Sequence, residues 1–138
     1  MTNWIEPIGG TAKQRDLVSR VVHFCIDELM PRMRTLDIEI LLRNIKSGAK
    51  GYCLMADDKR TFELEIDNRM TNQEIITTVC HEMVHVKQYA RTELTETEGC
   101  WKGSILDADT YGNMSPWEVE AYEAEEILAL KFKTKEGK

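Results

Sequence analysis

The amino-acid sequence predicts a single α+β domain over residues 1–138, with a small, mostly antiparallel sheet, an N-terminal helix, a central helix and a C-terminal helix. Three stretches have apolar residues at helical spacing, and each opens with a Ser/Thr-x-x-Glu/Gln capping sequence. Two further stretches alternate apolar and polar residues, as half-buried strands do. The chain of 138 residues, with 42% hydrophobic and 30% charged residues, has the size and composition of one globular domain.

The first helix is predicted to begin at Thr11, where Gln14 completes a capping box. Its apolar positions recur at helical spacing from Leu17 to Leu29, and Pro31 ends it. His23 lies off this apolar stripe, so we expect a surface histidine rather than a metal ligand.

Three strands are predicted to follow. Residues 36–42 alternate, residues 51–55 form a short apolar stretch, and residues 56–60 have turn chemistry. In residues 61–67, Phe62, Leu64 and Ile66 alternate with polar side chains. The last two strands therefore predict an antiparallel hairpin.

The central helix is predicted from Thr71, which forms a capping box with Glu74, to about Ala90. A polar loop and an irregular stretch, residues 100–114, separate it from the last helix. That helix is predicted to begin with a third capping box, Ser115 to Glu118, and to run to about Phe132.

The pentapeptide His81-Glu-Met-Val-His85 in the central helix has the strongest functional signal. Residues i and i+4 lie on one face of a helix, so both imidazoles can bind one metal ion. Glu82 lies about 100° around the same turn, within reach of a water molecule on that metal. Two of the three histidines of the chain are in this motif. The motif predicts a zinc site with Glu82 as general base.

A hydrolytic zinc site normally has three protein ligands. Arg91 occupies the position at which a longer form of the motif has a third histidine. We therefore expect a carboxylate from the last helix, and Glu120 shares a stripe with Ala124, Ile127 and Leu128 that is expected to face the core. A carboxylate in the core is costly unless a cation compensates it.

Other carboxylates are expected to have other roles. Glu118 is assigned to the helix cap, and Glu125 and Glu126 to solvent. Glu123, Asp107 and Asp109 remain alternatives to Glu120 as the third ligand.

The segments His81-Glu-Met-Val-His-Val-Lys-Gln88 and Pro116-Trp-Glu-Val-Glu-Ala121 resemble the zincin-like metallopeptidases of gluzincin type, especially small bacterial and phage-type members. The resemblance implies a zincin-like fold and zinc-dependent hydrolysis of peptide bonds. It also implies Glu120, which precedes Ala121, as the third zinc ligand. Tyr111 and Tyr122 are candidates, by residue type alone, for stabilising the oxyanion.

The resemblance further implies that a peptide or protein substrate binds along the edge strand of a hairpin beside the active-site helix. Residues 61–67 are the expected strand. Its outward Glu63, Glu65 and Asp67 would either favour basic or polar substrates or simply form a solvated face of the strand.

Charge and composition exclude other classes. Residues 51–138 have ten Lys and Arg against eighteen Asp and Glu, which disfavours nucleic acid as a partner. No apolar stretch is long enough to span a membrane, and the N-terminus does not resemble a secretion signal, so we expect a cytoplasmic protein with free cysteines. The alternative function is a domain for interaction or structure in which zinc only stabilises the fold.

Overall fold

The computed structural model describes residues 2–94, 100–101, 104–105 and 115–137, which include three helices and a four-stranded mixed sheet. The elements in chain order are β1 (Trp4–Gly9), α1 (Ala12–Leu29), β2 (Asp37–Arg43), β3 (Gly51–Met55), β4 (Thr61–Asp67), α2 (Asn72–Ala90), β5 (Cys100–Trp101), β6 (Ser104–Ile105) and α3 (Pro116–Glu136). The α+β class is confirmed, and the predicted helices and strands lie within a few residues of their expected bounds.

The strand order is β1-β2-β4-β3, with β1 parallel to β2, β2 parallel to β4 and β3 antiparallel to β4. The prediction of a mostly antiparallel sheet is therefore wrong. The sequence analysis missed β1, in which Pro7 interrupts the strand signal. Proline is tolerated there because β1 is an edge strand. The chain returns through α1 before β2, and a crossover of this kind joins parallel strands.

The predicted hairpin of β3 and β4 is confirmed, with Cys53 opposite Leu64. However, β4 pairs with β2 on its other side, so residues 61–67 form an interior strand. The expectation that these residues form the free edge is therefore wrong. Among the described residues, β3 is the edge strand on this side of the sheet.

The core lies between the sheet and the helices. Alternate residues of β2 and β4, including Ile40 and Leu64, are fully buried against α1 and α2. Helix α3 packs mainly against α2. Its Phe132 ring packs edge-on against the Phe24 ring of α1, with 5.6 Å between the ring centroids. Two layers of helix therefore cover one face of the sheet, and α2 is sandwiched between β-strands and α3.

Two of the three predicted capping boxes form. The Thr11 Oγ1 atom accepts from the Gln14 backbone N–H at 3.0 Å, and the Thr71 Oγ1 atom accepts from that of Glu74 at 3.2 Å. Ser115 is the N-cap of α3, but its side chain makes no capping hydrogen bond. The prediction of a third capping box is therefore wrong, because the carboxylate of Glu118 turns towards α2 instead.

Among the described residues, no helix combines the length and apolar character needed to cross a lipid bilayer. Cys25, Cys53 and Cys80 are free thiols. The sulfur atoms of Cys25 and Cys80 lie 3.8 Å apart in the core, so the Cys80 side chain packs against α1.

Gly9 and Gly48 provide a matched test of the contact between β1 and β2, since both have positive φ angles, 83° and 87°. A Cβ atom at Gly9 would overlap the carbonyl oxygen of Leu42, whereas one at Gly48 would meet nothing within 4 Å. We expect Gly48→Ala to lower the free energy of unfolding by about 1–2 kcal/mol through backbone strain alone. Gly9→Ala should lower it further, as measured by urea denaturation. Equal losses would contradict this packing.

Candidate metal centre

His81 and His85 lie one turn apart on α2, and both turn their Nε2 atoms towards one carboxylate oxygen. The Oε1 atom of Glu118, from the first turn of α3, lies 3.1 Å from the Nε2 atom of each histidine. Ligand atoms of these three residues all lie within 4.8 Å of one another. They form a group of the size and chemical type that could bind a metal ion.

The outer nitrogen of each ring is also engaged. The Nδ1 atom of His81 lies 2.7 Å from Glu125 Oε1, and the Nδ1 atom of His85 lies 2.8 Å from Gln88 Oε1. An imidazole that donates its Nδ1–H outward has a fixed ring orientation and presents Nε2 to the site. This arrangement is typical of histidines that bind metals.

Gln88 connects the two helices behind this group. Its amide is fully buried, and its Nε2 atom donates to the backbone oxygen of Trp117 and to Glu120 Oε1, each at 2.9 Å. Because Trp117 immediately precedes Glu118, this bond helps to set the position of the Glu118 side chain.

The three inner groups shift one another's pKa values. Burial, the largest effect, lowers the pKa of His81, but hydrogen bonds to Glu118 and Glu125 outweigh it and the pKa is raised. The pKa of His85 is raised in the same way by Glu118 and Gln88, again against burial. Hydrogen bonds to both imidazoles hold the pKa of Glu118 well below its usual range. The carboxylate of Glu118 and the two imidazoles therefore favour one another's charged forms.

Glu82 lines the same cleft and is 6% exposed. Burial raises the pKa of its carboxyl group, although the nearby imidazoles of His85 and His81 oppose the change. The cleft has a volume of about 720 Å³. Its walls are α2, the edge strand β3 and the first turns of α3, including Tyr122, whose ring centroid lies 4.6 Å from that of His81.

The structure brings three of the four expected site residues to this cleft, but Glu120 is not next to the histidines. Its Oε1 atom accepts from Lys87 Nζ at 3.1 Å and from Gln88 Nε2 at 2.9 Å. The residue that joins the histidine pair is Glu118, which the sequence analysis assigned to the helix cap. Glu125, which was assigned to solvent, supports His81.

The rotation of α3 about its own axis explains why Glu118, rather than Glu120, lies beside the histidines. The sequence analysis placed Ile127 in the core-facing stripe, but its side chain is 58% exposed. The buried residues are Ala121, Leu128, Ala129 and Phe132. Glu118 and Glu125 precede Ala121 and Leu128 by three residues, so they share the inward face. This spacing is the sequence signal that could have identified them.

None of the remaining candidates joins the group of His81, His85 and Glu118 in the described structure. Glu123 is exposed on α3, His23 is exposed on α1 as expected, and Tyr122 is 52% exposed at the cleft. Asp107, Asp109 and Tyr111 lie outside the described residues.

No protein-family model, curated protein or solved structure matches this chain.

In protein treated with a chelator, Glu118→Gln should lower the pKa of both His81 and His85, because the carboxylate that favours their protonated forms is lost. Folding raises these two pKa values, so the interaction stabilises the fold below the ordinary histidine pKa of about 6.5. Its contribution is lost as the pH rises through the folded-state values. Histidine-selective NMR titration measures both pKa values. Glu123→Gln, an exposed change on the same helix, should leave them unchanged.

Proposed function

We propose that this protein is a zinc-dependent peptidase in which His81, His85 and Glu118 bind the metal. The proposal depends on the 3.1 Å separation of Glu118 Oε1 from each histidine Nε2 atom. Neighbouring ligand atoms of a tetrahedral zinc site are about 3.3 Å apart when the bonds to zinc are about 2.0–2.1 Å. The three residue types therefore suit zinc, and the two separations from Glu118 match the expected spacing of ligand atoms. In this proposal Glu118 replaces Glu120 as the third ligand.

The arrangement favours a catalytic site over a closed structural one. Structural zinc sites normally have four protein ligands, whereas catalytic sites have three and leave one position for water. Three ligand residues are found here among the described residues, and the side chain of Glu118 is 41% exposed at an open cleft. The buried carboxyl group of Glu82 in the same cleft has no role in a purely structural site.

Zinc bound here would lower the pKa of a water molecule and polarise the carbonyl group of the substrate. Glu82 accepts the proton of the attacking water on its carboxylate and then donates it to the leaving amine. Its raised pKa suits this exchange, because a proton carrier works best with a pKa near the working pH. Tyr122, beside His81, is the described candidate for donating to the carbonyl oxygen of the substrate.

The substrate in this proposal is an extended stretch of a cytoplasmic peptide or protein. Gly51, Tyr52 and Cys53 of the edge strand β3 line the cleft, and a peptide could pair with this strand. Glu63 and Glu65 of β4 do not line the cleft, since they alternate with residues that face the helices. The expected preference for basic substrates therefore has no support from those two residues.

The alternative is a domain in which the metal only stabilises the fold. One observation favours it: the candidate site joins α2 to α3, so a metal there would fix α3 in place. Most buried apolar residues of the core belong to the sheet, α1 and α2, however, and only four belong to α3. We therefore expect chelation to abolish hydrolysis while circular dichroism shows that most of the fold remains.

Zinc binding provides the first test. Protein prepared with zinc should contain about one ion per chain, as in other mononuclear sites. Glu118→Ala should weaken zinc binding by more than about 100-fold, beyond the 10–100-fold loss that is usual for residues behind the ligands. Competition with a chromogenic chelator measures the affinity.

Two matched variants of α3 complete this test. Glu123→Gln should leave the zinc affinity unchanged. Glu120→Gln should reduce it less than Glu118→Ala, because Glu120 contacts Gln88 and Lys87 and is not part of the group formed by the two histidines and Glu118. If Glu120→Gln instead had the larger effect, the assignment of Glu118 would be wrong.

Hydrolysis provides the second test. The zinc-loaded protein should cleave casein or members of a mixed peptide pool, with products identified by mass spectrometry. Glu82→Gln should retain zinc and slow cleavage by about 10²–10⁴-fold, the usual contribution of a general base. Equal cleavage by this variant, or cleavage that persists after chelation, would exclude the proposed mechanism.

A further inference from the structure

Helix α3 has apolar side chains on two opposite faces. One face, with Ala121, Leu128 and Phe132, is buried against the rest of the domain. On the other side, Ile127 is 58% exposed and Leu130 is 66% exposed. A helix that covers a domain from outside normally has one apolar face and one polar face. The second apolar face of α3 therefore indicates a second packing partner.

Two residues of opposite charge lie along one side of this outer apolar face. Glu126 and Lys133 are both exposed, and they lie seven residues apart on the same side of Leu130. Seven residues correspond to about 10.5 Å along a helix, which is too far for a pair within one helix. Neither residue forms an ion pair with another described residue.

We propose that two copies of this chain associate through α3, with the two helices antiparallel across a two-fold axis. The midpoint between Glu126 and Lys133 falls between Ala129 and Leu130. An axis at this point places Glu126 of each copy opposite Lys133 of the other, so that two identical ion pairs form. The exposed Leu130 side chains then meet at the centre, with Ile127 one turn away. A parallel pair would instead bring like charges together.

Symmetry and size define the expected dimer. The same surface serves both copies, as in most two-fold dimers. The contact covers about half of a helix that is about 31 Å long, so the buried area falls in the range of weak, reversible interfaces. The contact surface is centred more than one turn beyond Tyr122. Glu126 also lines the cleft beside the histidine pair, but Leu130 and Lys133 do not. The inference does not depend on the proposed function.

Sedimentation equilibrium of the full chain, over a range of concentrations, tests the association. We expect a reversible monomer–dimer equilibrium. Leu130→Glu should give a monomer at all concentrations, with circular dichroism to confirm folding. Ile8→Glu, at another exposed apolar residue, on β1, is the control and should leave the dimer intact. A chain that is monomeric at every concentration, or a Leu130→Glu dimer of unchanged affinity, would overturn the proposal.

Reversal of charge tests the antiparallel arrangement independently of Leu130. E126K and K133E should each weaken self-association by about 10-fold, because both ion pairs become repulsive. An equimolar mixture of the two variants should form a mixed dimer, and the double variant should associate like the unmodified chain. If the mixture did not associate more strongly than either variant alone, this pairing of the helices would be excluded.

Discussion

The contact of the Glu118 carboxylate with two imidazoles determines how α3 lies on α2. Its Oε1 atom lies 3.1 Å from Nε2 of both His81 and His85, which places the first turn of α3 over the middle of α2. Glu125, two turns further along α3, binds the outer nitrogen of His81. These contacts with the two imidazoles, together with the buried apolar residues of α3, therefore define the position and rotation of the helix. The carboxylates of Glu118 and Glu125 are acceptors, and each faces a ring nitrogen of His81. Without a positive charge between these carboxylates and the imidazoles, the contacts would oppose the packing of α3 on α2.

The buried side-chain amide of Gln88 explains why the hydrogen bonds between α2 and α3 form in only one orientation. Its oxygen accepts from His85, and its nitrogen donates to the Trp117 carbonyl and to Glu120. A glutamate at position 88 could accept from His85, but it would also face two acceptors without a proton to donate. Only an amide satisfies both sides. This buried group thus links the orientation of a candidate metal ligand to the backbone that presents Glu118.

Local sequence signals predicted most elements of the fold, because the relevant interactions are local. The boxes at Thr11 and Thr71 each involve residues three apart, and alternation in residues 61–67 depends on neighbours alone. The position of β4 inside the sheet could not be predicted in this way. That position depends on parallel pairing with β2, a strand about 24 residues earlier in the chain, and the alternation within a strand does not reveal its partners.

The predicted inward positions of Ile127 and Glu120 on α3 have a single physical cause. Apolar residues on both faces of a helix weaken the periodic signal that tells the inward face from the outward one. Ile127 was therefore assigned to the core, and the same assignment placed Glu120, rather than Glu118, on the face expected to provide the third ligand. In the structure Ile127 is exposed beside Leu130, so the apolar character that misled the prediction lies on the outer surface. If a second helix covers that surface, both faces of α3 are interior faces, and the periodicity of the sequence describes the assembled protein rather than the single chain.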